Sequence, residues 1–339
     1  MFGIWRFILA MLVVVGHLWG FWFAASHAVF SFYVLSGFLM TLVLNEKYGF
    51  SGTGFRSFWI ARLSRLLPTY WVGCALTIGL ILMLSVEVTS AFNAKLTWPE
   101  TPFQLLANAT MAGLIHPRAD LGLVPDQFPT LVPPAWALSI ELFFYLCLSV
   151  YFARTLMRSF VLLGLGVLYV GAVFVLNPNF YWLYFFFPAA AIPFATGAIL
   201  YFLLQRDRVR ALFQPRAALA VVLFLYLSLY LVANWAPALG LNRAFILYLN
   251  IGTSALLIAC LYTLKADRPA RKLDAFFGDL SFPVYILHWQ VGLLIASLLN
   301  LEKGTVTLFL ASVPLILAFS VLDRAYVSGP VERRRRQQQ

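Results

Sequence analysis

The sequence predicts an all-α integral membrane protein: about ten transmembrane helices in one bundle, with both termini cytoplasmic. Three observations predict it. The 339 residues are 62% hydrophobic and 11% charged, a balance that excludes one or two soluble domains. The apolar residues gather into ten runs of roughly membrane-spanning length. With the N-terminus inside, all but four of the 24 Lys and Arg (Lys95, Arg118, Arg243 and Lys303) fall on the cytoplasmic side, as the positive-inside rule requires. The net charge of +11 is thereby a topology signal, and no nucleic-acid partner is expected. Multi-pass membrane insertion follows as the expected arrangement.

The first span covers 5–25. Phe7–Ala25 followed by Ser26 has the look of a signal peptide, but only one Arg precedes it, and cleavage near Ala25 would discard both polar residues of the segment. Those two are Arg6 and His17. Eleven helical steps bring His17 back to nearly the same face as Arg6, roughly 16 Å further along the axis. An imidazole that deep in an apolar helix is costly, so a functional role is expected.

Span two, 28–45, follows after a very short turn at Ser26–His27 and carries Phe32-Tyr-Val-Leu-Ser36-Gly37-Phe38, where Gly37 permits close helix packing. A cytoplasmic loop with three glycines leads into span three, 66–86, through Arg62-Leu-Ser-Arg65-Leu-Leu-Pro68-Thr-Tyr70. Arg62 and Arg65 share a helix face. Two readings stand, lipid-headgroup anchors or an anion site for a phosphorylated ligand.

Residues 87–132 form the one long external segment. Seven of the 17 prolines lie between Pro99 and Pro134, so a regular span is excluded. Thr101–Ile115 is apolar enough for a short interfacial or re-entrant helix, Asn108-Ala-Thr110 matches a glycosylation sequon, and His116 is expected in solvent. Such a loop has the length to cover an external substrate.

Span four, 133–152, opens Pro133-Pro-Ala-Trp136-Ala-Leu-Ser139-Ile-Glu141-Leu-Phe-Phe-Tyr145. Glu141 is the one acidic residue well inside a span, and it must pair, protonate or face a cavity. Counted from the outer ends of their spans, Glu141 and His17 both lie about 12 Å deep, which permits them to pair. Spans five to eight (159–176, 181–204, 216–234 and 244–264) carry no intramembrane charge. The aromatic run Phe180–Phe187 reads as lipid-facing, and Pro188 and Pro193 as kinks. Span nine, 279–299, brings Tyr285 and His288, three apart on one face, with His288 about 15 Å from the cytoplasmic end. Span ten, 304–322, is followed by a basic tail over 324–339, a solvated anchor in reach of anionic lipid. Cys74, Cys147 and Cys260 sit in apolar runs without metal or redox spacing and read as packing residues. No metal site is expected.

Five of these stretches, in this order, resemble the membrane-bound acyltransferase-3 family: Arg6-x10-His17, the Ser36-Gly37 segment, Arg62-x-x-Arg65-x-x-Pro68-x-Tyr70, the Trp136–Tyr145 segment and Gly278-Asp-Leu-Ser-Phe-Pro-Val-Tyr285-Ile-Leu-His288. Two positions depart from the family pattern. Gly3 stands where an Asp is frequent, and Ala137 where a Ser is usual. Many members carry an added extracytoplasmic SGNH-type hydrolase domain, and none is expected within these residues. The resemblance implies an O-acyltransferase over 1–323 that takes a cytoplasmic acyl-CoA, most often acetyl-CoA, as co-substrate with no bound cofactor. It implies a hydroxyl acceptor on a cell-surface glycan, a lipid-linked sugar or a small molecule. Arg6, Arg62 and Arg65 would hold the donor phosphates. His17 would act as general base or transient acyl carrier, with Glu141 orienting it. Tyr70, Trp136, Ser139, Tyr145, Tyr285 and His288 would support them. The competing reading is a proton-coupled transporter or flippase using the intramembrane His and Glu residues. The sequence shows no internal repeat to favour it.

Overall fold

The computed structural model describes residues 1–111, 128–176, 179–214, 216–235, 241–265 and 267–337. Among them every regular element is helical. In chain order these are α1 (Gly3–Val14), α2 (Trp22–Val43), α3 (Gly52–Leu84), α4 (Val86–Phe92), α5 (Pro102–Thr110), α6 (Ala135–Val150), α7 (Leu156–Leu176), α8 (Phe180–Tyr184), α9 (Ala191–Leu204), α10 (Asp207–Ala211), α11 (Arg216–Trp235), α12 (Arg243–Thr263), α13 (Arg268–Leu299), α14 (Val306–Asp323) and α15 (Gly329–Gln337). Among the described residues seven segments are long and apolar enough to cross a membrane: Trp22–Tyr48, Gly52–Leu84, Leu156–Leu176, Phe187–Leu204, Arg243–Thr263, Arg268–Leu299 and Val306–Arg335. The first, fourth and seventh predicted spans fall instead on shorter apolar helices, Gly3–Trp19, Ala135–Val150 and Ala217–Ala233.

The first predicted span is broken. α1 continues through a π-helical turn, Val15–Trp19, and ends at Gly20, whose φ of 92° is readily reached only without a Cβ. α2 then begins at Trp22, so the turn lies at Gly20–Phe21, and Ser26 and His27 are buried inside α2. The apolar Trp19-Gly-Phe-Trp22 run hides this turn, with one glycine as its only punctuation. The consequence is direct: His17 lies two residues from the end of its helix, not eight, and its depth does not match that of Glu141.

α1 is the axis of the bundle. Its Leu9, Ala10, Val13 and Val14 are fully enclosed. Close crossings hold it and its neighbours. A Cβ on Gly37 of α2 would collide with the Phe194 carbonyl of α9, and one on Gly3 with the Asp274 carbonyl of α13. The helix-packing reading of Gly37 is therefore met at a specific partner. Ser31 links α2 to α11 and α12 by hydrogen bonds to Tyr226 (2.9 Å) and Ser254 (2.8 Å).

Three other stretches differ from expectation. α3 starts at Gly52, where the Ser51 hydroxyl caps the Gly54 N–H, so Arg62 and Arg65 lie within one long helix rather than at the edge of a loop. The predicted sixth span is interrupted: α8 ends at Tyr184, a 3-10 turn covers Phe187–Ala190 with Pro188 in its first turn, and α9 follows. Pro188 lacks the N–H that a continuous helix would use. The aromatic run does not all face lipid: Leu183 and Tyr184 are buried, and Trp136 packs on Tyr184 and Phe185 with ring centres 5.3 and 4.8 Å apart. Finally, the tail is not free. A π-helical turn over Arg324–Ser328 carries α14 directly into α15, beside α3 and α13.

Within the external segment, α5 realises part of the expected interfacial helix, opened by a Thr101–Gln104 capping box. Residues 112–115 of that helix, His116 and Arg118 lie outside the described residues. Asn108 is buried, and its side chain donates to the Gln104 and Pro129 carbonyls (2.9 Å each) and accepts from Leu131 N–H (2.8 Å). The sequon asparagine is thus a strut that holds the loop end onto α5.

Candidate active site

Arg6 enters from the first turn of α1, and Arg62 and Arg65 from the third and fourth turns of α3. All three line one cavity of about 440 Å³ between α1, α2, α3, α6 and α13. Among the described residues none of the three meets a carboxylate at ion-pair distance, and the Nε atoms of Arg6 and Arg62 are buried without a hydrogen-bond partner. Leaving such buried guanidinium nitrogens unpaired is costly, a cost that an anion in this cavity would relieve. The Arg6 side chain lies across Gly278 of α13, in space a Cβ would occupy.

Gly3 is explained by the same crossing. No side chain fits there against Asp274, and Asp274 itself supplies the acid: its Oδ1 accepts the Ile4 N–H at 2.9 Å. The carboxylate stands at the N-terminus of α1, where the helix dipole favours it.

Glu141 lines the same cavity. Its Oε1 accepts from the hydroxyls of both Ser36 and Tyr145. The expected pairing of Glu141 with His17 is not made. Glu141 faces the cavity that the arginines line, and His17 stands at the opposite end of α1.

The partner of His17 is His288. His17 Nδ1 and His288 Nε2 are 2.8 Å apart, and the ring planes are within 5° of parallel. His288 Nδ1 lies 2.8 Å from the Tyr285 carbonyl oxygen. A carbonyl only accepts, so His288 Nδ1 carries a proton. In the neutral pair His288 Nε2 then accepts from His17 Nδ1–H, and His17 Nε2 is left with a free lone pair. Trp289 and Trp22 flank the imidazole at 5.2 and 6.3 Å between ring centres. The π-helical turn that carries His17 is a local irregularity of the kind often found at functional sites.

One residue joins the two ends. Tyr285 lines the arginine cavity, while its carbonyl holds His288 one turn further along α13. The three arginines, Glu141 and Tyr285 thus share one cavity of ordinary ligand size, and the imidazole pair, which does not line it, is tied to it through the Tyr285 carbonyl. A family model described as an acyltransferase domain, of the acyltransferase-3 type, matches residues 2–322. The chain belongs to this acyltransferase family. Comparison with curated proteins and with solved structures gives no match.

The remaining sequence-predicted residues of the acyltransferase divide by place. Tyr145 and Tyr285 line the cavity. Tyr70 donates to the Asn108 carbonyl (2.6 Å), Ser139 donates to the Met111 carbonyl, and Trp136 belongs to the aromatic cluster of α8. These three fasten the external segment and α8 to the bundle, outside the cavity lining. Sequence reasoning passed over three cavity residues as site members: Ser36, Tyr33 and Asp274. Ser36 stood inside a quoted motif, but nothing in the sequence revealed Glu141 as its partner. Among the described residues no cluster of three or more His, Cys, Asp and Glu is grouped to hold a metal ion.

Proposed function

We propose that this membrane acyltransferase moves an acyl group, acetyl in the simplest case, from acyl-CoA to a hydroxyl of a cell-surface glycan, a lipid-linked sugar or a small molecule. One observation carries the reading: three partly buried arginines, without carboxylate ion pairs among the described residues, line one cavity with Tyr285, whose carbonyl orients the His288–His17 pair. Arg6, Arg62 and Arg65 hold the donor phosphates in bidentate, charge-assisted contacts. The pantetheine arm runs along the cavity, past Glu141, towards Tyr285. His17 Nε2 takes the proton of the acceptor hydroxyl as its oxygen attacks the thioester carbonyl. The C–S bond breaks, and the CoA thiolate leaves and recovers a proton. With the arginine end cytoplasmic, the donor arrives from inside a bacterial inner membrane, and the acceptor meets His17 at the outer end.

The test uses inverted vesicles, acetyl-CoA labelled in the acyl group, and wild type beside His17→Ala. Label passing into non-CoA material with wild type alone supports the reading. Full transfer by a well-inserted His17→Ala variant removes His17 from the mechanism. Absence of transfer from every acyl-CoA, together with ion-gradient-driven flux, would instead establish a transporter.

A further inference from the structure

The C-terminal helix α15 folds back beside the donor cavity, and the acyl-CoA reading above gives that contact a purpose. A cleft of about 260 Å³ lies between α15, α3 and α13, and Arg65, Arg324, Arg333 and Arg335 line it together with the hydroxyl-bearing Ser64 and Ser328. Arg65 and Phe282 line this cleft and the main cavity alike, so the two share a wall.

The charges in the cleft do not cancel. Asp279 pairs with Arg324 at 3.1 Å, and Glu332 pairs with Arg335 at 3.6 Å. Both acids also lie within electrostatic reach of Arg65. Four guanidiniums against two carboxylates leave an excess of two positive charges, the complement of a phosphate monoester dianion. Two hydroxyls add donors of the kind that phosphate oxygens accept.

The backbone holds this arrangement. A Cβ on Gly329 would strike the Arg324 carbonyl, so a glycine is what lets the π-helical turn pass into α15. The Arg335 side chain is 16% exposed, whereas an arginine serving only as a topology anchor would stand in water or among headgroups. We propose that α15 completes the donor site, and that the cleft binds a phosphate monoester, the 3′-phosphate on the nucleotide end of acyl-CoA. The thioester end occupies the main cavity, and the nucleotide end lies across the shared Arg65 wall.

The full chain in phosphatidylcholine vesicles, assayed with acetyl-CoA and with acetyl-3′-dephospho-CoA, decides this. Wild type is expected to show a KM about tenfold lower for the phosphorylated donor, and the Arg333→Ala/Arg335→Ala variant to lose that preference, with KM for the dephosphorylated donor little changed. Equal KM shifts for both donors, or none for either, would overturn the proposal. An equal change in both KM values on adding anionic lipid, without any preference between the donors, would assign the cleft to a lipid headgroup and overturn it equally. Wild type transferring from neither donor would refute the acyl-CoA reading itself, an outcome distinct from transfer without discrimination between the two.

Discussion

His17 and His288 share a 2.8 Å hydrogen bond between α1 and α13, and the Tyr285 carbonyl determines which of their four ring nitrogens stays bare. The proton on His288 Nδ1 is fixed by a backbone acceptor, which no side-chain motion removes. Through His288 Nε2 it fixes the proton on His17 Nδ1 as well. The role a carboxylate plays in a Ser-His-Asp triad, holding the imidazole in one tautomer and orientation, is here open to a second imidazole.

In the proposed mechanism His288 is a positioning residue, and its removal has a recognisable signature. His288→Ala is expected to lower transfer about 100-fold, as loss of an oriented general base does. His288→Gln, whose amide oxygen can accept from His17 Nδ1–H, should recover a substantial part. Transfer rates and pH profiles of the inserted variants check this. Equal activity of the Ala and Gln variants would mean that the hydrogen bond does not orient His17.

Glu141 makes a different prediction, because it meets Ser36 and Tyr145 rather than His17. Glu141→Gln keeps an oxygen to accept both hydroxyls. It should change KM for the acyl donor by about three- to tenfold through the cavity it lines, and leave the pH profile of transfer where it is. A displaced pH profile with unchanged KM would place Glu141 in the proton-transfer machinery instead.

The contrast between these two residues shows what the sequence could carry. Hydropathy and charge placed the apolar segments, because each span is a local pattern. The five motifs pointed to the family, because each motif is local too. The partners from other helices were not legible, whereas Tyr145, one turn from Glu141 on the same helix, was within reach of the local pattern. His17 finds His288 at a separation of 271 residues, and Glu141 finds Ser36 at 105. Depth counting failed at His17 because Gly20 ends the helix inside an unbroken apolar run. A single glycine in such a run reads equally as a packing contact or as a turn. The tail was legible in part: Arg333 and Arg334 are exposed, as a basic tail suggests, whereas Arg335 is largely enclosed because Gly329 lets the chain turn back beside α3.

Gly37 tests the packing that sets the cavity wall. Its missing Cβ is filled by the Phe194 carbonyl and Cα of α9, which are backbone and have little freedom to yield. Gly37→Ala should destabilise the detergent-solubilised protein by about 1–3 kcal/mol through overpacking, despite the better helix propensity of alanine. Gly252→Ala in α12 is the control, since a Cβ there meets nothing within 4 Å, and it should be neutral or slightly stabilising. Thermal melts of the two variants decide it. A Gly37→Ala protein as stable as wild type would show that α9 shifts to make room.

Lys95, in the external segment between α4 and α5, gives a pH dependence with a defined sign. Burial lowers its pKa from 10.5 to about 8. Between these values the unfolded segment binds the proton and the folded one does not, so local stability rises with pH across that window. Below about pH 8 the ammonium is charged in both states, and the full burial penalty applies. Hydrogen exchange at residues 93–101 should therefore show the local opening constant falling about tenfold per pH unit through the window, after correction for intrinsic exchange. Lys95→Met, which keeps the apolar stem and removes the charge, should abolish that slope and protect the segment at neutral pH. An unchanged slope in Lys95→Met would assign the titration to another group, and protection that fell with rising pH in wild type would reverse the sign and refute burial as its cause.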